Sequence, residues 1–143
     1  MQGPLAKFID LYSQDLAGRN MQIIDSVYGS DVEFIDAAHH IKGLDNLVSY
    51  FDNVMANVTH CRFEIHDIFE QDNAAAVSWT MHCAHPKLNG GKVYQVPGMS
   101  QLRFDDKITY HRDHFDFGAM IYEHIPLLGS IIRKIKPISK RSS

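Results

Sequence analysis

The spacing of apolar residues changes along the chain, from a helical period at the start to a period of two later on. Within residues 4–16 the apolar side chains recur every three or four positions, which predicts an amphipathic helix. Gly18 is suited to end that helix, and Asn20 to cap a short second helix that closes near Gly29. A third helix is predicted after Gly43. Its apolar stripe comprises Leu47, Val48, Phe51, Val54 and Met55.

Alternation of apolar and polar residues predicts β-strands in the rest of the chain. A short strand over residues 31–36 is followed by a hairpin partner at 38–42. Four longer strands then form two hairpins joined by turn residues. They cover residues 59–70, 74–85, 92–104 and 107–117. The apolar face of the first two comprises Cys61, Phe63, Ile65 and Phe69, then Val77, Trp79, Met81 and Cys83.

The order of these elements predicts an α+β fold, because the helices come first and the hairpin-linked strands follow. We expect a cone-shaped, curved antiparallel sheet wrapped around the N-terminal helices, with an internal pocket. An apolar stripe between Leu127 and Ile135 predicts an extra C-terminal helix. The expected organisation is therefore one domain over residues 1–123 and a basic amphipathic helix and tail over residues 124–143.

Composition narrows the classes of protein to consider. The 143 residues are 45% hydrophobic and carry a formal charge of −3, which suits one folded domain and argues against a general nucleic-acid binder. Two cysteines are too few for a disulfide-stapled secreted domain. Neither a signal peptide nor a bilayer-spanning segment is recognisable, so we expect a cytoplasmic protein.

The small net charge conceals an uneven distribution. Residues 1–123 carry a balance of −8, whereas the last twenty residues carry five basic side chains and no acid. Together with the apolar stripe, these charges make a basic amphipathic helix that could make peripheral contact with an anionic membrane. The alternatives are a solvated tail, or a helix that packs on the domain or a partner chain and closes the pocket mouth.

Two segments carry a resemblance to a known family. They are YGSDVEFIDAAHHIKGLDNLVSYF (28–51), an acidic-ended strand, glycine turn and helix, and the final strand KITYHRDHFDF (107–117). Over residues 4–118 the chain resembles the nuclear transport factor 2-like superfamily in its SnoaL-like branch. This resemblance implies the cone fold and a homodimer formed through the open sheet face. The fold hosts isomerases, hydrolases, cyclases and non-catalytic binders, so it does not define the activity.

Two enzyme groups of that superfamily can be compared residue by residue. Ketosteroid isomerases use an Asp base and two oxyanion donors, a Tyr and a protonated Asp. The resemblance places Asp36 at the base position, Tyr12 at the Tyr position and Ser100 at the position of the protonated Asp. The resemblance of the last strand to that of limonene-epoxide hydrolases implies a catalytic role for Asp113. Their Arg-x-Asp partner is absent from SWTMHCAH (78–85), which argues against that reaction.

The residues themselves suggest acid–base chemistry. Asp36 shares strand parity with Phe34, so it is expected to point inward among apolar groups, where a carboxylate is a stronger base. The alternative is a strand-end Asp that caps the hairpin turn. His111 and Asp113 share one face of the last strand, where Asp113 could orient or charge His111. Alternatively this face is an ordinary polar ladder exposed to solvent or a partner.

The expected pocket lining is apolar and aromatic. It comprises Phe34, Phe63, Trp79, Met81, Cys83, Tyr94 and Phe115. Cys83 is not expected to act as a nucleophile, because its strand neighbours supply little positive charge to stabilise a thiolate. Nine histidines suggest metal binding, but pairs three apart on a strand face opposite sides, so no metal site is expected.

The first functional hypothesis is a cofactor-independent enzyme that isomerises, cyclises or hydrates an apolar small molecule. Asp36 would be the base, Tyr12 and Ser100 the oxyanion donors, and His111 with Asp113 would assist. The second hypothesis is a non-catalytic module that binds a hydrophobic ligand or lipid, and the third is a dimerising scaffold with a filled cavity. Polar groups inside a cavity would favour the enzyme.

Overall fold

A computed structural model describes residues 3–115 as an α+β fold with one six-stranded sheet. The helices are α1 (Pro4–Tyr12) and α2 (Leu44–Met55), with 3-10 helices at Met21–Ser26 and Asn89–Gly91. The strands are β1 (Tyr28–Ile35), β2 (His40–Lys42), β3 (His60–Gln71), β4 (Ala74–Ala84), β5 (Tyr94–Phe104) and β6 (Ile108–Phe115). The predicted hairpins 59–70/74–85 and 92–104/107–117 therefore correspond to β3–β4 and β5–β6, each within a few residues.

The sheet is mixed, which corrects the prediction of an antiparallel sheet. Its strand order is β2-β1-β6-β5-β4-β3, and β1 pairs with β6 in parallel, whereas the other neighbours are antiparallel. Residue alternation reports which face a side chain occupies but carries no information on the direction of the neighbouring strand. The parallel pair places Phe34 of β1 directly beside His111 of β6.

The first helix ends earlier than its apolar stripe predicted. It stops at Tyr12, although Leu16 is buried. The side chain of Asp15 accepts hydrogen bonds from the backbone N–H groups of Cys61 and Ala17, at 3.0 and 3.1 Å. These bonds, the one from Cys61 above all, lower the pKa of Asp15 below its ordinary value. The chain has therefore left the helix by Asp15, and the carboxylate of Asp15 caps the backbone at the start of β3.

An irregularity in β3 changes which of its residues face inward. The β3–β4 register shifts between Ile65 and Ile68, so the alternation is reset by one residue. Ile68 packs against the core, whereas Phe69 is 61% exposed. The placement of Phe69 on the apolar face was therefore wrong, because a bulge cannot be read from alternation alone.

The core lies between the inner face of the sheet and the helices. The helix α1 contacts β3, and α2 contacts β1, β2 and the 3-10 helix at Met21–Ser26. The expected helix and basic tail over 124–143 lie outside the described residues, as does any boundary at residue 123. No helix within residues 3–115 is long and apolar enough to cross a membrane.

A candidate acid–base site in an apolar pocket

A cavity of about 410 Å³ lies between the inner face of the sheet and the helices. All seven residues expected to line a pocket contribute to its wall, namely Phe34, Phe63, Trp79, Met81, Cys83, Tyr94 and Phe115. Tyr12, Asp36 and Asp113 also line the cavity. Ser100 and His111 are 2% exposed and lie behind that wall. The cavity is thus apolar with a few polar groups, the usual character of a small-molecule site.

The strand registers align inner-face residues in rows across the sheet. One row places Ser100 of β5 between Val77 of β4 and Asp113 of β6. The next row places Leu102 of β5 beside His111 of β6. Because directly opposite residues on adjacent strands share a face, these pairings bring Ser100, His111 and Asp113 together. Residues from β5 and β6, the last two strands, therefore build one polar cluster.

Asp113 is the centre of this cluster. His111 Nε2 lies 2.6 Å from Asp113 Oδ1, and the Ser100 hydroxyl donates to the same oxygen at 2.6 Å. The indole N–H of Trp79 donates to the Ser100 hydroxyl at 2.9 Å. Among the described residues, every hydrogen bond to Asp113 reaches Oδ1. No described residue donates to the other carboxylate oxygen, and the Asp113 side chain lines the cavity.

A chain of buried hydroxyls continues from His111. Its Nδ1 lies 2.7 Å from the Tyr28 hydroxyl, which lies 2.6 Å from the Tyr12 hydroxyl. Burial raises the pKa of both tyrosines, so both remain protonated at neutral pH. With the His111 hydrogen on Nε2 facing the carboxylate, Nδ1 accepts from Tyr28, and Tyr28 accepts from Tyr12. The cluster thus connects two points of the cavity wall, Tyr12 and Asp113.

Protonation of His111 would reverse the direction of this chain. A doubly protonated imidazole donates from both nitrogens, so Nδ1–H would donate to the Tyr28 oxygen. The Tyr28 hydroxyl would then donate to Tyr12, and the hydrogen of Tyr12 would be free for a ligand. The hydrogen-bonding character that Tyr12 presents to the cavity therefore depends on the charge of His111.

Gly98 makes the position of Trp79 possible. The two residues are directly opposite on β5 and β4, and the indole ring lies over the glycine. A Cβ atom at Gly98 would lie 2.4 Å from Cη2 of the ring and 2.9 Å from the backbone oxygen of His114. The missing side chain is what lets the indole N–H reach Ser100.

Asp36 occupies a different part of the wall, just after the end of β1. Its Oδ1 accepts from the backbone N–H groups of Ala38 and His39, at 2.9 and 2.8 Å. Its Oδ2 accepts from the Tyr50 hydroxyl at 2.8 Å. This carboxylate both lines the cavity and caps the turn, and its role as a base stays a prediction. Both of its oxygens already have donors, unlike those of Asp113.

A third set of polar side chains lies in a row of directly opposite residues across β3, β4 and β5. Cys61 is directly opposite Cys83, which is directly opposite Tyr94, and all three line the cavity. Hydrogen bonds from the Cys61 thiol and the Tyr94 hydroxyl lower the pKa of Cys83 to about 7, although burial opposes them. The same contact and burial raise the pKa of Cys61.

Sequence reasoning missed three members of the site: Tyr28, Tyr50 and the indole N–H of Trp79. Tyr28 opens β1 and its ring faces the core, where its hydroxyl needs a partner. The parallel pairing with β6 supplies His111, a neighbour that local patterns do not reveal. Tyr50 lies one helical turn before Val54, on the apolar stripe of α2. The sequence pattern therefore indicates a core position for it and no other role.

The described residues contain no group of three or more His, Cys, Asp or Glu side chains placed to hold a metal ion. His82 and His66 instead contact Glu64 and Thr80, their partners on the outer face of β3 and β4. The expectations of no metal and no cofactor stay predictions.

Replacing Tyr28 with Phe should destabilise the fold by about 1–3 kcal/mol, because His111 Nδ1 and the Tyr12 hydroxyl would lose a buried partner. Urea unfolding followed by circular dichroism measures this change. The matched control is Tyr110→Phe on the outer face of β6, expected to change stability by less than about 0.5 kcal/mol. Equal stability of the two variants would contradict the hydrogen-bonded chain.

Comparison with known proteins places this geometry in a structural context. The family model described as SnoaL-like domain matches residues 8–111. A search of curated proteins found no match. The structure resembles an NTF2-like protein of unknown function from Burkholderia pseudomallei, with a TM-score of 0.70 and 16% identity over 85% of this chain and 97% of the other.

Two further solved structures have the same fold. One is a protein with a ketosteroid isomerase-like fold from Catenulispora acidiphila, in complex with trimethylamine (TM-score 0.68, 13% identity, 79% of this chain and 85% of that chain). The other is a candidate SnoaL-like polyketide cyclase from Shewanella putrefaciens (TM-score 0.66, 18% identity, 82% and 90%). At these identities the likeness shows the fold alone.

Proposed function

Because the chain belongs to the SnoaL-like domain family, we propose that it binds an apolar small molecule in the cavity and performs cofactor-independent acid–base chemistry on it. Asp113 is the general base in this proposal. One of the solved structures with the same fold is a candidate SnoaL-like polyketide cyclase, which supports a ligand-binding or cyclase-type role. The particular reaction is deduced from the site rather than from the relatives.

The observation that carries the proposal is the state of the Asp113 carboxylate. Its Oδ1 is held by His111 and Ser100, while among the described residues no donor engages Oδ2. A carboxylate held at one oxygen is oriented, and the other oxygen can accept a proton from a ligand. Asp36, favoured by sequence, has donors at both oxygens. It is therefore the weaker candidate for the base.

The chemistry is proton abstraction next to a carbonyl group. Asp113 Oδ2 takes the proton from carbon, and the electron pair of the broken C–H bond moves to the carbonyl oxygen as an enolate. Tyr12 is the donor to that oxygen when His111 is protonated. Return of the proton to another carbon gives isomerisation, and attack of the enolate carbon on a second carbonyl gives cyclisation.

Ser100 has a supporting part in this scheme. The sequence prediction made it an oxyanion donor, but its hydroxyl donates to Asp113 and receives the indole N–H of Trp79. We therefore assign it the task of orienting the base. His111 contacts the same carboxylate oxygen, and the hydrogen on its Nδ1 would set the donor direction of the Tyr28–Tyr12 hydrogen bond.

Ligand binding can be followed through Trp79, the single tryptophan of the chain. We expect β-tetralone, an apolar bicyclic ketone, to quench or shift its fluorescence in a saturable titration. Val96→Phe should weaken this binding at least about tenfold, since Val96 lines the cavity and the larger ring would fill it. Gln95→Phe is the matched control, because Gln95 is exposed on the other face of β5.

Equal affinities of the two variants would show that the ketone binds elsewhere. Binding without any exchange of the ketone's α-hydrogens for solvent deuterium would favour the second candidate, a carrier of apolar ligands. The observation that favours that candidate is the largely apolar wall of the cavity. A homodimer and membrane contact through residues 124–143 remain proposals under either function.

A further inference from the structure

Two cysteine side chains meet across β3 and β4 in the cavity wall. Cys61 and Cys83 are register partners, so they are directly opposite and share the inner face. Directly opposite residues of an antiparallel pair have Cα atoms about 4.5–5.5 Å apart. Disulfides span Cα separations of about 4.4–6.8 Å. The backbone of these two strands therefore already has the spacing that a disulfide needs.

Access to this pair runs through the cavity. The two residues are only 1% and 5% exposed, yet both line the cavity. Because both side chains line the cavity, a small molecule that enters it can reach the sulfur atoms. This placement separates the pair from Asp113, which lies on β6 at another part of the wall.

The two thiols differ in their chemistry. Cys83 accepts hydrogen bonds from the Cys61 thiol and from the Tyr94 hydroxyl, and these donors lower its pKa to about 7. A thiolate fraction is therefore present at neutral pH. The sequence argument against Cys83 as a nucleophile considered only positive charge along its own strand. Here the stabilisation comes mainly from neutral donors on the two neighbouring strands.

We propose that Cys61 and Cys83 form an oxidisable dithiol in the cavity wall, which reacts with small peroxides and closes to a reversible disulfide. This site is independent of the proposed acid–base function. It would make the ligand cavity of this protein sensitive to peroxide.

The reaction balances with a peroxide as oxidant. The Cys83 thiolate attacks one peroxide oxygen, the O–O bond breaks, and a sulfenic acid and hydroxide form. The hydroxide takes the proton of the Cys61 thiol. The resulting thiolate attacks the Cys83 sulfur, so an S–S bond forms, the S–O bond breaks, and the leaving hydroxide takes up the proton that the Cys83 thiol released on ionisation, giving water. Two thiols are oxidised, and hydrogen peroxide is reduced to two water molecules.

Oxidation would also change the surroundings of the ligand. The disulfide removes the negative charge of the Cys83 thiolate and the thiol donor of Cys61. The Tyr94 hydroxyl, which also lines the cavity, then loses the Cys83 thiolate as an acceptor. The affinity for an apolar ketone is therefore expected to differ between the reduced and oxidised protein.

Intact-mass spectrometry on the full chain tests the proposal. After treatment with equimolar hydrogen peroxide at neutral pH, we expect the wild-type monomer to lose two hydrogens. Peptide mapping should then show a Cys61–Cys83 link that dithiothreitol reverses. Cys61→Ser and Cys83→Ser should each prevent that mass loss. If either variant folds poorly, the mass loss and the Cys61–Cys83 link in the wild-type protein still test the proposal.

The order of events has its own readout. Cys61→Ser leaves Cys83 without a resolving thiol, so dimedone should trap its sulfenic acid. Cys83→Ser should be labelled at least about tenfold less, since burial still raises the pKa of the remaining Cys61 thiol. Addition of oxygen to methionine with both thiols intact would overturn the proposal. So would a disulfide formed only between two chains, or equal dimedone labelling of the two variants.

Discussion

Substitution of Asp113 by Asn should lower the rate of α-hydrogen exchange on a bound apolar ketone by about 10²–10⁴-fold, the usual contribution of a general base. Asn has nearly the same shape, and its side-chain oxygen can still accept from His111 and Ser100. The substitution removes the charge and the basicity but keeps the packing of a side chain that also lines the cavity. Proton NMR in deuterated buffer measures the exchange directly.

The matched control is Asp36→Asn, which changes a second cavity carboxylate by the same chemistry. Its effect on exchange should be small, because that carboxylate is engaged by Tyr50 and two backbone N–H groups. If Asp36→Asn abolished exchange and Asp113→Asn did not, the roles of the two residues would have to be interchanged. Ligand affinity, followed by Trp79 fluorescence, distinguishes loss of chemistry from loss of binding.

A methyl group at Gly98 should destabilise the fold by about 1–3 kcal/mol or more, the range for overpacked cores. Its Cβ would lie 2.4 and 2.7 Å from two ring atoms of Trp79 and 2.9 Å from the backbone oxygen of His114. The ring could move, but the backbone of the neighbouring strand cannot. We expect the melting temperature of Gly98→Ala to fall by about 2–4 °C for each kcal/mol.

A double-mutant cycle identifies the cause of that loss. Trp79→Phe shortens the ring that meets the new Cβ, so Gly98→Ala combined with Trp79→Phe should cost less than the two separate changes added together. Met99→Ala, at an exposed position next to Gly98, is the control for β5 itself. Strict additivity in the cycle would show that the ring is not the obstacle.

The elements of the fold could largely be predicted from the sequence, because alternation and helical spacing report burial. The inner face of β4, with Val77 and Trp79, is an example. Two features of the sheet could not be predicted from alternation and helical spacing. The parallel pairing of β1 with β6 joins residues that are far apart in the chain. The bulge in β3 reverses alternation for Phe69, and no local residue type marks it.

The sequence predicted which residues belong to the site better than it predicted the hydrogen bonds between them. Asp113 and His111 were found together because residues two apart on a strand share a face. The contact of Ser100 with Asp113 depends on the β5–β6 register, which places the two residues directly opposite each other. The low pKa of the Cys83 thiol depends on donors from the two neighbouring strands. Contacts between strands therefore set the chemistry of residues that the sequence identified one by one.

The position of β6 between β1 and β5 has a consequence for synthesis of the protein. At about 5–20 residues per second, β1 (Tyr28–Ile35) leaves the peptidyl transferase centre roughly 4–15 s before its partner β6 begins. During that interval one edge of β1 has no native neighbour, and its apolar residues Val32, Phe34 and Ile35 are available for wrong pairing. Closure of the sheet, and with it assembly of the His111–Tyr28 contact, has to wait for the strand that is made last among those described.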